Sequence, residues 1–63
     1  MNTYYDLLQQ IKQYGTFIYT GNREYDLALL MEEVRSLKSN GLFSAKEYSQ
    51  AMAIILKEKN QLN

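Results

Sequence analysis

Three stretches of this chain repeat apolar residues every three to four positions, and the chain's only glycines, Gly15, Gly21 and Gly41, fall between them. That period places the apolar side chains on one face of a helix. From about Thr3 to Tyr14, the residues Tyr4, Leu7, Leu8, Ile11 and Tyr14 share a face, with Asp6, Gln9, Gln10 and Gln13 opposite. Thr3 is suited to cap this helix, Asp6 lies where the dipole favours an anion, and Gly15 suits the left-handed position that follows a helix end. The second helix is expected from about Arg23 to Ser39. Asn22 caps it, Leu27, Leu30, Met31, Val34 and Leu37 form its stripe, and Asn40-Gly41 stops it. The third opens on Ser44-Ala45-Lys46-Glu47, a capping box in which Ser44 and Glu47 satisfy each other's backbone donors. Phe43 is placed to staple onto Tyr48. Tyr48, Ala51, Met52 and Ile55 form the apolar face, Ile54 and Leu56 widen it, and Lys57 to Asn63 reads as a fraying polar end.

Three amphipathic helices bury their stripes best against one another, so the expected fold is an all-α three-helix bundle forming one domain over residues 1–63. The short connection at Gly41 makes the second and third helices antiparallel neighbours. At this size the core is small, and chains like it often rely on disulfides, a metal or oligomerisation. With no Cys and no His, neither a bridge nor a zinc site can form. Helix packing, self-association or both must suffice. A helix-turn-helix is a weaker reading, because the start of the third helix offers only Lys46 as a cation where a recognition helix would read bases and phosphates.

Composition narrows function mainly by exclusion. Without His or Cys the usual neutral-pH base and the strongest nucleophile are absent, and the glycines form no phosphate-binding or dinucleotide motif. No enzyme and no cofactor is expected. The carboxylates Glu24/Asp26 and Glu32/Glu33 read as solvated surface and dipole complement. The N-terminus lacks the pattern of a secretory leader, and no apolar run is long enough for a membrane span. A cytoplasmic protein is expected. Seven basic and seven acidic residues cancel, which weakens any overall attraction to phosphates or to an anionic membrane.

The segment that helical packing leaves unexplained is the first linker, Gly15-Thr16-Phe17-Ile18-Tyr19-Thr20-Gly21-Asn22-Arg23. Three large apolar residues in a row are unusual for a loop. With Tyr14 and Tyr25, four of the eight aromatic residues lie within twelve positions. In an extended backbone Phe17 and Tyr19 share one side and Ile18 takes the other. The plainer reading is a lid, with the aromatics closing one end of the core. The sharper one packs one side inward, either Ile18 or the Phe17/Tyr19 pair, and leaves the other accessible. Accessible aromatics become stacking surfaces for unpaired bases, with Arg23 near the free N–H groups of a helix start. The ordinary alternative for Arg23 is pairing with Asp26 or Glu24. On the second helix Tyr25 and Leu29 lie opposite the stripe, a start for contact with another subunit or protein or a seat for the linker. On the third, Lys46, Gln50, Ala53 and Lys57 share an outer face. Lys46 and Lys57 there are solubilising surface or guides for a phosphate backbone.

The run from Met1 to Leu37 resembles the YqgQ-like family of small bacterial proteins, and the resemblance extends over nearly the whole chain. The likeness is most specific between Tyr14 and Asp26, where Gly15, Tyr19, Gly21, Arg23 and Asp26 fall in order. The resemblance implies a compact three-helix bundle and a role in binding single-stranded nucleic acid. Placing that role on Phe17, Tyr19, Arg23, Lys46 and Lys57 is an expectation from side-chain chemistry. The competing expectation is a protein-interaction module or homodimeric adaptor acting through Tyr25 and Leu29.

Overall fold

The structure, a computed structural model, describes residues 1–62. These form three helices, α1 (Tyr4–Lys12), α2 (Arg23–Ser39) and α3 (Ala45–Asn60), in an all-α bundle. Local signals set most of the boundaries. Thr3 and Asp6 form a reciprocal capping box on α1, Asn22 accepts from the Tyr25 N–H on α2, and Ser44 and Glu47 form the box on α3. At the end of α2, Gly41 takes φ +75°, which lets the Leu42 N–H reach the Leu37 carbonyl at 2.8 Å and its own N–H reach Lys38 at 3.1 Å. These two bonds satisfy carbonyls that would otherwise be orphaned.

Two boundaries differ from expectation. Helix α1 stops at Lys12 rather than Tyr14, because Gln13, Tyr14 and Gly15 each bond three residues back and tighten the chain into a turn. Helix α3 does not fray at Lys57 but continues to Asn60. The extra turn carries Glu58, whose carboxylate pairs with Arg23, a tertiary contact that the local composition does not announce.

The core consists of Leu7 and Ile11 from α1, Leu27, Leu30, Val34 and Leu37 from α2, Ala51 and Ile55 from α3, and Phe43 from the α2–α3 connection. Tyr4, Leu8, Met31, Tyr48, Met52 and Ile54 border it half-buried. Leu56, expected to widen the α3 face, is exposed. Tyr14 lies just beyond α1 at the edge of the core, its ring meeting Phe43 edge-on at 5.9 Å between centroids and its hydroxyl donating to the Leu42 carbonyl at 3.3 Å.

Contacts at the two ends fix the topology. The start of α1 meets the start of α2 through Tyr4 and Arg23, and the end of α1 meets the α2–α3 connection through Tyr14 and Phe43. Helices α1 and α2 therefore run parallel, and α3 runs antiparallel to both. A parallel pair needs a connection that returns along its whole length. Residues 16–20 make that return as an extended strap, laid between α1 and α2.

Candidate functional site

The strap is fixed at both ends. Thr16 Oγ1 donates to Glu33 Oε2 at 2.5 Å. At the other end the Thr20 N–H and hydroxyl both donate to Asp26 Oδ1, each at 2.7 Å. Asp26 is only 5% exposed, so the expectation of a solvated carboxylate is corrected: it is a buried anchor. Two charge-assisted bonds offset the cost of taking the carboxylate out of water. Gly15 and Gly21 flank the strap with φ near +88° and +87°, a conformation that lets the chain turn in and out of the extended run at little steric cost.

Between these anchors the side chains alternate. Ile18 packs against the core, while Phe17 and Tyr19 stand 77% and 74% exposed. The lid reading is therefore corrected in detail: Ile18 closes the space between α1 and α2, and the aromatics face solvent. An extended chain must show this alternation, and the core had room for one side of it only.

Tyr5 of α1 faces the same side at 67% exposure. One hollow is lined by Tyr4, Tyr5, Leu8, Ile18, Tyr19, Gly21, Arg23 and Asp26. A second is lined by Tyr5, Leu8, Gln9, Lys12, Phe17 and Tyr19 among others. They share Tyr5, Leu8, Ile18 and Tyr19, and so form one groove between α1 and the strap. Lys12 stands at one end and Arg23 at the other. Across the strap the surface changes sign, for the hollow there is bordered by Glu32 and Glu33 with Leu29. An anion approaching the aromatics meets its cations on the α1 side.

The expected site residues are only partly gathered here. Phe17, Tyr19 and Arg23 belong to the groove, but Arg23 pairs with Glu58 rather than with Asp26 or Glu24. Its guanidinium also lies 4.2 Å from the centre of the Tyr4 ring, in cation–π range. Lys57 borders a separate hollow behind Tyr4, with Ile54 and Glu58. Lys46 is exposed in the first turn of α3, about 16 Å down the helix from Lys57 at 1.5 Å per residue. Tyr25 (66% exposed) and Leu29 (44%) lie on the outer face of α2, and Leu29 borders the acidic side of the strap. Tyr5 and Lys12 join the site unannounced by the sequence, and Asp26 joins it as the anchor of the strap rather than as a partner of Arg23. Tyr5 lies off the α1 stripe, and Lys12 and Asp26 gain meaning only once the strap lies beside them.

Tyr4 is half-buried where it lines the groove beside Arg23. Burial raises its pKa above the ordinary 10.0, the Arg23 charge opposes that rise, and the carboxylates of Asp26 and Glu58 add to it. The hydroxyl thus remains a proton donor at any physiological pH.

Fold and groove together define a class: a small three-helix protein whose first two helices run parallel and are joined by an aromatic strap. The chain belongs to the YqgQ-like family, whose model matches residues 1–61. It is 33% identical to Uncharacterized protein YqgQ of Bacillus subtilis (strain 168) over 61 residues, covering 97% of this chain and 86% of that one. No helix among the described residues is long and apolar enough to cross a membrane.

Proposed function

We propose that the groove binds unpaired bases of single-stranded nucleic acid. Tyr5, Phe17 and Tyr19 supply the stacking faces, and Lys12 is the nearest phosphate contact. The observation that carries this reading is the placement of three exposed rings around one groove, two of them on a strap held at both ends by side-chain hydrogen bonds. Rings held in place lose little further freedom on binding, and every base offers a π-face, so stacking tolerates any sequence. Residues two apart on an extended strap are spaced by about 6.6 Å, roughly twice the 3.4 Å between stacked bases. The rings therefore suit bases already pulled apart, as in a single strand, rather than a closed duplex. Such a role belongs in the cytoplasm, and a cysteine-free chain is at home there.

Fluorescence anisotropy with labelled ten-nucleotide strands at low salt tests the reading. Binding to single strands well above binding to the matching duplex is expected, and no binding to either removes the proposal. The second reading is a protein-interaction module, and the exposed pair Tyr25 and Leu29 on α2 favours it. Sedimentation equilibrium distinguishes a self-associating chain from a monomer.

A further inference from the structure

The anchor of the strap has an unused face. Both Thr20 donors converge on Oδ1 of Asp26, and among the described residues no donor reaches Oδ2. Every side-chain nitrogen or oxygen that is sealed from solvent in the described residues has a partner. Oδ2, which has none, must therefore keep access to solvent although its residue is only 5% exposed. Asp26 lines the hollow shared with Tyr4, Tyr5, Ile18, Tyr19 and Arg23. That hollow measures about 500 Å³, within the roughly 300–1,000 Å³ of small-ligand clefts.

We infer that Asp26 is a base-reading residue, and that the groove prefers bases carrying an exocyclic amine over thymine or uracil. The inference rests on the proposed binding of single strands and adds selectivity to it. An ionised carboxylate oxygen only accepts hydrogen bonds, so whatever enters this end must present a donor. The amines of cytosine, adenine and guanine do so, and a carboxylate accepting from the cytosine N4 amine is a known form of base readout. Thymine and uracil present two carbonyl oxygens, and their single N–H lies between those oxygens, which the carboxylate repels. The same repulsion keeps phosphates away from the floor of the hollow. Bases thus point toward Asp26, and the backbone runs along the outer rim. Tyr19 and Tyr5 flank the entering ring, and Arg23, already paired with Glu58, does not draw the backbone inward.

Oligo(dC) and oligo(dT) of ten nucleotides test this, because the two pyrimidines match in size and differ at the edge that would be read. Anisotropy titrations at low salt should show oligo(dC) binding roughly tenfold tighter. Oligomers of 2-pyrimidinone nucleotides, which lack the amine, should lose that advantage with no change to the protein. Asp26→Asn keeps an oxygen for Thr20 and places an N–H donor where Oδ2 was, so the preference should vanish or turn toward oligo(dT). Equal binding of oligo(dC), oligo(dT) and the 2-pyrimidinone strand overturns the inference while leaving the stacking proposal standing. A cytosine preference that survives either the missing amine or Asp26→Asn also overturns it. Failure to bind any strand removes the proposed function itself, and the base reading with it. Should Asp26→Asn not fold, the 2-pyrimidinone comparison decides alone.

Discussion

At the scale of single residues, the strap separates two jobs that neighbouring side chains often share. Phe17 and Tyr19 contribute little to the core, so Phe17→Ala and Tyr19→Ala should each shift the melting temperature by less than about 3 °C, as surface changes do. Each should weaken binding by about 1–3 kcal/mol, the usual worth of one stacked base. Ile18→Ala should act first on stability, because Ile18 packs on the core, and on binding only through the groove wall it also forms. Losing a half-buried Ile costs about 1–2 kcal/mol, which in a domain this small lowers the melting temperature by about 8–15 °C. Paired thermal melts and anisotropy titrations check the split, and a large loss of stability in Phe17→Ala would return the aromatics to the core. Asp6 is a second residue with a readable consequence. The N–H groups of Asn2 and Thr3 donate to its carboxylate at 3.0 and 3.1 Å and hold its pKa below the ordinary 3.8. A carboxylate with a lowered folded pKa stabilises above its unfolded value, and that contribution is lost as pH falls through the folded one. The melting temperature of the protein should therefore drop below about pH 4 more steeply than that of Asp6→Asn. The gap between the two curves should close toward pH 2, and parallel curves would exclude a role for the charge.

Elements show which parts of the design are local. Helix α2 was legible to the residue, because Asn22 and Asn40-Gly41 act on the backbone within one turn of themselves. The capping boxes of α1 and α3 are equally local, and so is the alternation along the strap. Which side of it faces inward was settled only by the room between α1 and α2, which takes Ile18 and leaves Phe17 and Tyr19 exposed. What the sequence concealed depends on contacts between distant positions. The last turn of α3 is held by Glu58 on Arg23, 35 positions away. Asp26 is buried because the strap folds onto it, and Tyr5 joins the site because the strap returns alongside α1. No periodicity encodes that return, which follows from α1 and α2 running parallel. The Arg23–Glu58 pair also bears on binding, for it occupies the one arginine of the groove. Glu58→Gln should release that charge to phosphate, tightening single-strand binding and steepening its salt dependence by up to about 0.7 in log–log slope. Thermal stability should change little, since partly exposed pairs are worth about 0–1 kcal/mol. An unchanged slope would mean that Arg23 stays on Tyr4 whether or not Glu58 is charged.

For the whole molecule, the deciding quantity is charge. Seven cations and seven anions leave no net charge, and among the described residues the groove holds Lys12 as its one cation outside an ion pair. A strand bound here gains little from counterion release, which contributes about 0.7 per neutralised phosphate to the log–log salt slope for single strands. Binding should thus show a slope near −0.7, far shallower than that of a protein making six to ten phosphate contacts. It should also persist at salt concentrations that strip basic proteins from nucleic acid. On the proposed binding, the acidic border of Glu32 and Glu33 across the strap would repel a strand toward the α1 side, so Lys12→Gln should flatten the slope toward zero. Lys46→Gln, with its residue at the far end of α3, should leave the slope unchanged. Titrations of the three proteins between 20 and 300 mM salt, each with the same oligo(dC), measure this directly. A slope of −3 or steeper would require cations beyond the groove, and the outer face of α3 with Lys46 and Lys57 would then become the binding surface. A shallow slope abolished by Lys12→Gln but not by Lys46→Gln assigns the strand to the groove. Affinity then comes from the rings, and the phosphates fix only which way the strand runs.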